Sequence, residues 1–351
     1  MTGRAQHERK VRLAVLGAGL IGKRHIQHVL AEPQAELLAV IDPMPLGQKI
    51  AQESGARWFP SFAAMIEMHR PDGIIVATPN QVHVANGLEA VAAGVPALIE
   101  KPIADDIAAG EKLIGAAEAA GVPILVGHHR RHNPMIQKAK EIIDSGALGR
   151  ILVANAMFWL FKPDDYFDID WRRQAGAGPV FLNLIHDVDN LRYLFGDIVA
   201  VQARESNAVR GNVVEETSVI LMEFASGLLA TATVSDAVVA PWSWEMTTGE
   251  NPAYPKTEEA CYLIGGTHGS LTIPSLDVWK NGTKRSWWEP FEKQRIAVQH
   301  EDPLVLQIRQ FCKVIRGEEA PRVSGREGLN TLNVIMAIKR SAVSGERIVL
   351  G

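Results

Sequence analysis

Between Val11 and Gly127 short apolar runs (VRLAVLG, ELLAVID, GIIVAT, PALIE and ILVG) alternate with longer segments in which apolar residues recur at helical spacing. Unbroken apolar runs are what a parallel sheet covered on both faces requires, and the helical segments between them are its crossovers. Segments 81–93 and 105–120 carry Ala, Leu, Val and Ile at that spacing, with Gly94 and Gly121 just past their ends as C-cap residues. The pattern predicts a doubly wound α/β domain over residues 1–127.

After Gly127 the rhythm changes. A helix is predicted near 133–145, followed by extended runs at 151–161, 198–206, 214–224, 228–235 and 261–273, separated by Gly, Asn and Pro. A helix near 180–195 interrupts them, and helices near 303–316 and 326–343 close the chain. These elements predict an α+β domain over 128–351 with a large, mostly antiparallel open sheet, its last helices able to pack back on the first domain. The stretch 236–260, rich in Pro, Trp, Thr and Glu, follows neither period and reads as a loop or lid.

Composition narrows the function classes. The chain has 351 residues, 47% hydrophobic and 22% charged, which is ordinary globular usage and enough for two domains at about 150 residues each. Lys plus Arg number 36 against 40 Asp plus Glu, a net charge of -4, so no global field favours nucleic acid or anionic lipid. No apolar stretch reaches the ~18 residues of a membrane helix. The polar start MTGRAQHERK lacks the apolar core of a secretory leader, and Cys261 and Cys312 stand far apart in no metal spacing. Both features predict a cytoplasmic protein with reduced thiols.

Gly17-Ala-Gly19-Leu20-Ile21-Gly22 follows the first strand directly and opens a helix-patterned segment. In that context the first glycine permits the tight turn, the second lets backbone approach a pyrophosphate, and the third lets the helix pack on the sheet. Asp42 ends the second strand, twenty positions after Gly22. A carboxylate there accepts bonds from a ribose 2′-hydroxyl and repels a 2′-phosphate, which favours NAD, while the nearby bases Lys23, Arg24 and Lys49 leave NADP open.

Further motifs follow in order: Thr78-Pro-Asn80 with His83, Glu100-Lys101-Pro102, AAGVPILVGHHRRHNPM, GALGRI, Trp171-Arg172, GAGP through His186, GTHGSLTIP, DPLVLQIRQF and SGREGLNTLNVIMAI. This series resembles the Gfo/Idh/MocA family, named after glucose–fructose oxidoreductase and inositol dehydrogenase, over nearly the whole chain. The resemblance implies a Rossmann domain followed by a mixed domain whose open sheet forms a subunit interface, hence a homodimer or homotetramer. It places Leu20, Ile21, Thr78, Asn80, His83, Glu100 and Lys101 at the cofactor, and it sets Lys101 beside the nicotinamide and the substrate hydroxyl. By pattern alone Lys101 is a solvated strand-end lysine; beside a reacting carbinol, a cation stabilises the alkoxide charge that develops as hydride leaves.

The family also places a catalytic histidine at the position of His186. Here Phe181, Leu184, Ile185, Val188, Leu191 and Leu194 form the apolar face of the predicted helix, while Asn183, His186 and Asn190 share another. Imidazole suits a proton acceptor near neutral pH, and the alternative is a structural histidine bonded to Asp189 or Asn190. The sequence departs from the family's Asp-x-x-x-His pattern, because Leu182 stands four before His186. Asn183 and Asp187 are then the candidates to orient His186 or the substrate.

Arg130, Arg131, Lys162, Trp171, Arg172 and Arg173 are candidate substrate contacts for a carboxylate or polyol. The alternative is pairing with Asp164, Asp165, Asp168 or Asp170. His128, His129 and His132 invite a metal reading, but adjacent histidines on an extended segment point to opposite sides and no carboxylate or Cys lies near them in sequence, so none is expected. Trp242, Trp244, Trp287 and Trp288 read either as sugar-stacking or as core and interface residues. The expectation is an NAD-dependent dehydrogenase oxidising a secondary hydroxyl of a cyclic polyol, sugar or sugar-like acid. Its competitors are a redox-neutral NAD-using enzyme, catalysing elimination, epimerisation or glycoside cleavage, and a non-catalytic NAD-binding regulator.

Overall fold

The computed structural model describes residues 9–351, so most of the polar start read for the absence of a leader lies outside the described residues. The chain divides into two compact units. One comprises the residues through His132 with Glu301–Leu332, the other Asn133–His300 with Asn333–Gly351. The first unit thus runs five residues past 127 and includes a late helical segment.

The first unit is built on six strands: β1 (Val11–Leu16), β2 (Ala35–Ile41), β3 (Arg57–Phe59), β4 (Gly73–Val76), β5 (Ala97–Ile99) and β6 (Ile124–Val126). All pair in parallel, in the order β3-β2-β1-β4-β5-β6. Helices α1 (Leu20–Ala31), α2 (Pro45–Ser54), α3 (Phe62–Met68), α4 (His83–Ala92) and α5 (Ile107–Ala120) connect them. The apolar runs are buried because helices cover both faces; β4 and β5 expose almost nothing. Strand β3 had no sequence signal, since of its three residues only Phe59 is buried.

The second unit carries α6 (Pro134–Asp144), β7 (Ile151–Trp159), α7 (Ile185–Phe195), β8 (Ile198–Ser206), β9 (Thr217–Phe224), β10 (Leu229–Ser235) and α8 (Trp244–Thr248). Then come β11 (Tyr262–Gly266), β12 (Ser270–Ile273), β13 (Asp277–Asn281) and β14 (Phe291–Arg295). Helix α9 (Pro303–Arg316) belongs to the first unit, α10 (Gly325–Ser344) contributes to both, and β15 (Ile348–Val349) ends the chain in the second. Its nine strands form one sheet, β14-β13-β12-β11-β7-β10-β9-β8-β15, antiparallel except for β7 against β10. One face supplies Ala156, Phe158, Ile220, Met222, Ala232 and Val234 to a core with Ile185, Val188 and Leu191 of α7 and with Ile335 and Ile338 of α10.

Two expectations are revised. The stretch 236–260 is not only loop, since α8 forms within it behind a Ser243 cap and seats Trp244 in the core. The helix expected over 180–195 is composite, because Val180–Leu184 form a π-helical turn before α7 begins at Ile185.

Candidate active site

In the first unit the candidate residues gather at the carboxyl edge of the parallel sheet, where β1 and β4 lie side by side and the chain order reverses. Gly17 follows β1 with a φ of 95°, a conformation in which a side chain is strained, and a Cβ there would lie 2.6 Å from the Ala77 carbonyl oxygen. A Cβ on Gly22 would overlap the Gly17 carbonyl, so this glycine keeps α1 against the loop. Gly19 differs: a Cβ on it would meet nothing within 4 Å. Space is thus open beside the second glycine, where α1 begins and its unpaired N–H groups point out.

Asp42 stands at the end of β2 with its carboxylate turned to this loop, accepting from the main-chain N–H of Ala18 at 2.8 Å and of Met44 at 2.8 Å. Two further lone pairs remain for ribose hydroxyls. Leu20 is exposed at the helix start, and Ile21 is half-buried behind it. Asn80 is exposed after β4, and the half-buried Thr78 donates its hydroxyl to Asn86 Oδ1 at 3.0 Å. The residues present therefore fit a dinucleotide: an open glycine, a helix N-terminus and a carboxylate at the second strand end.

His83 and Glu100 are both engaged within the fold. His83 is fully buried, its Nδ1 2.8 Å from the Pro102 carbonyl and its Nε2 2.8 Å from the Thr78 carbonyl. It ties the turn after β4 to the turn after β5. Glu100 is buried too, with Oε1 2.6 Å from His25 Nε2 and Oε2 accepting from the main-chain N–H of Lys101 at 3.2 Å. Burial alone would push its carboxyl up, but the His25 hydrogen bond and the charges of His25, Lys101 and His129 prevail and hold it at about 2. Lys101 itself is half-buried immediately beyond β5. His25 was missed by sequence reasoning although a signal existed: it sits on the buried stripe of α1 with Gly22, Ile26 and Val29.

Arg130 and Arg131 lie in the turn after β6 and are both buried, Arg131 donating to Glu327 at 3.0 Å. His132 is buried as well, bonded through Nε2 to Gln310 Oε1 at 2.8 Å, and its pKa is lowered to about 3, chiefly by burial. Among the described residues no group of three or more His, Cys, Asp or Glu converges as a metal site.

In the second unit His186 is buried in the first turn of α7. The segment before it is anchored by Glu215, whose Oε1 accepts from the Val180 main-chain N–H at 3.1 Å and whose Oε2 binds Lys339 Nζ at 2.6 Å. A Cβ on Gly178 would overlap that carboxylate, which is the physical reason for a glycine in the GAGP turn. Lys162 donates to Asn183 Oδ1 at 3.0 Å and pairs with Asp236 at 3.2 Å. Burial holds its ammonium below the ordinary lysine range despite the attraction of Asp236.

The expected Asn183–His186–Asn190 face is interrupted at Asn183, while His186 and Asn190 keep helical spacing on α7. Asn190 is fully buried and donates to the Tyr262 hydroxyl at 3.1 Å, and that hydroxyl donates to Asp187 Oδ1. Asp187 is thus buried, with its Oδ1 bonded to Tyr262. The face splits because a π-helical turn holds more residues than an α-turn and shifts the phase between Asn183 and α7. Arg172 donates to the Tyr166 carbonyl at 2.8 Å and stacks on the Tyr166 ring at 4.1 Å, holding its own loop. Trp171 is exposed, and Arg173 pairs with Asp170, as the alternative reading has it. Trp244 is core, whereas Trp287 and Trp288 are exposed and stack edge to face.

Comparison with known proteins gives two family matches. Residues 11–128 match a model described as an oxidoreductase family with an NAD-binding Rossmann fold, and residues 136–272 match the GFO/IDH/MocA C-terminal domain. The rhizopine catabolism protein MocA of Rhizobium meliloti is 28% identical over 187 residues, 53% of this chain and 58% of that protein. The D-apiose dehydrogenase of Paraburkholderia graminis is 25% identical over 366 aligned positions, 96% of this chain and 89% of that protein. Among solved structures, the WlbA dehydrogenase of Bordetella pertussis, determined with NADH and UDP-GlcNAcA, is 27% identical with a TM-score of 0.78, covering 98% of this chain and 99% of that one.

Proposed function

Because the chain belongs to the Gfo/Idh/MocA family and is an NAD-binding oxidoreductase, we propose that it oxidises a secondary hydroxyl of a cyclic polyol, sugar or sugar-like acid. The observation that carries this reading is Lys101, set just beyond β5 on the sheet edge where Gly19 leaves open space and Asp42 presents its carboxylate. Relatives named as D-apiose and inositol dehydrogenases support the substrate class.

When bound, NAD supplies the acceptor for the hydride leaving the carbinol carbon. Gly17, Gly19 and the α1 N-terminus hold its pyrophosphate, and Asp42 accepts from its ribose hydroxyls. The Lys101 ammonium binds the substrate oxygen and stabilises its growing negative charge. His186 accepts the hydroxyl proton, and Asn183, fixed by Lys162, orients the substrate. Lys162, Trp171 and Arg172 are the candidates in the second unit for further substrate contacts.

NADH absorbance with inositols, aldoses, sugar acids and cyclitols tests the reading, with Lys101→Ala alongside. Turnover with one class, reduced about 1000-fold in kcat/KM by the substitution, is expected. Bound NAD with no turnover across the panel would overturn it in favour of a redox-neutral enzyme or a regulator.

We also assign self-association to the outer face of the nine-stranded sheet, where Val153, Val219, Leu221, Leu229 and Leu263 are exposed in neighbouring strands. No helix among the described residues is long and apolar enough to cross a membrane. Light scattering is expected to give a dimer or tetramer, and the paired change Leu221→Lys and Leu229→Lys to dissociate it; a wild-type monomer would overturn the assignment.

A further inference from the structure

We infer that His25 and Glu100 form a positioning pair for Lys101, tying the helix of the glycine loop to the turn that carries the reacting cation. This rests on the role proposed for Lys101. The link is continuous and lies within the first unit. His25 lies one turn beyond Gly22 on α1, buried, with Nε2 2.6 Å from Glu100 Oε1. The other carboxylate oxygen accepts from the main-chain N–H of Lys101 at 3.2 Å. The Glu100 N–H in turn donates to the Val76 carbonyl at 2.9 Å, extending the β4–β5 ladder to the motif.

The opposite wall is fitted to this carboxylate. A Cβ on Gly127 would lie 2.8 Å from Glu100 Cδ and 2.8 Å from Oε2, so any larger residue displaces the group. Gly127 is itself fixed, donating to the Ile99 carbonyl at 2.7 Å. Such a fit is costly if the pair only fills space, because well-packed apolar side chains replace buried ion pairs with little loss or even a gain in stability. What an apolar pair could not supply is a fixed negative charge one residue from Lys101. That charge favours the ammonium form, and the Oε2 bond sets the main chain from which the ammonium projects.

His25 does not touch the reacting atoms in this scheme; it holds Glu100, and Glu100 holds Lys101. The same bond connects the phosphate-facing helix to the catalytic turn, so the two are held in one geometry.

The test compares His25→Gln, Glu100→Gln and the double variant, in which two amides can hydrogen-bond, with the wild-type chain. Five quantities are read: Tm, NAD affinity by calorimetry, kcat and KM on the substrate found above, and the rate of reductive methylation of Lys101 by peptide mapping. Glu100→Gln is expected to lower kcat about 30-fold or more while KM and NAD affinity stay within about threefold. Lys101 is expected to methylate about three times faster or more at pH 8 once the neighbouring charge is gone. The double variant is expected to regain the wild-type Tm but not the wild-type kcat or labelling rate.

Recovery of kcat together with Tm in the double variant would overturn the proposal and leave the pair a structural brace. So would a Lys101 labelling rate equal to wild type in every variant. If the wild type turns over nothing in the panel, the dehydrogenase reading fails separately, and the labelling rates decide the positioning pair on their own.

Discussion

Each unit seats a candidate chemical residue with a buried carboxylate that faces a glycine, but the two carboxylates are held in opposite ways. Glu100 of the first unit is bonded to a histidine on the dinucleotide helix and lies next in sequence to Lys101. Glu215 of the second unit comes from the far side of the sheet sequence, caps the Val180 N–H and is neutralised by Lys339, which also binds Glu205 at 2.7 Å. In the first case the charge sits beside the chemistry. In the second it is spent on holding a backbone turn six residues before His186, and a lysine cancels it. Similar shapes thus separate a carboxylate that acts on a reacting group from one that acts on the fold.

The largest effect that would sharpen this contrast is on stability, from Lys339→Met. It leaves Glu215 and Glu205 close together without their cation, and a loss of about 3 kcal/mol in urea unfolding is expected, with kcat per folded molecule kept. Burial and the neighbouring Glu215 already push the Glu205 carboxyl up against the pull of Lys339, so the loss should shrink as pH falls and the carboxyls protonate. A large fall in kcat at unchanged stability would break the comparison.

Acid is the next probe, and it addresses Glu100. Its carboxyl lies at about 2 in the folded chain against an ordinary 4.5, so its stabilisation is fully present above the ordinary value and is lost as pH falls toward the folded one. The amount at stake is about 3 kcal/mol, and Glu100→Gln should flatten that part of the stability-against-pH curve. Equal slopes in the two proteins would count against an ionised Glu100.

The smallest effects are those of the two glycines. Gly178→Ala and Gly127→Ala each force a methyl against a carboxylate, with an expected cost of about 2 kcal/mol in denaturant unfolding. The comparison predicts that only Gly127→Ala also lowers kcat, because only there does the displaced carboxylate adjoin Lys101.

Legibility differed between the units for physical reasons. The parallel sheet announced itself because both its faces are buried, and α9 was read at its observed limits because its ends carry strong chemistry. Asp302 accepts from the Leu304 N–H, Pro303 opens the helix, and Gly317 closes it in the left-handed conformation. Strands β13 and β14 were silent, since β14, FEKQR, is exposed throughout and neither alternates nor runs apolar. In the site, Gly17, Gly19, Gly22 and Asp42 were legible because their chemistry is local. Glu215 was not, because nothing in the run Val214-Glu215-Glu216 reveals that one carboxylate reaches Val180 and Lys339. The Asp187–Tyr262 bond was hidden for a related reason: Tyr262 lies on β11 and is adjacent to Asp187 only in the folded chain.

The π-helical turn at Val180–Leu184 also holds a spare residue. A turn that carries one residue more than its neighbours is what a single inserted codon leaves in a helix when the ends are too well anchored to rotate. Deleting one residue from this segment is expected to let the turn rewind as ordinary helix while Gly178, the Glu215 anchor and His186 keep their places.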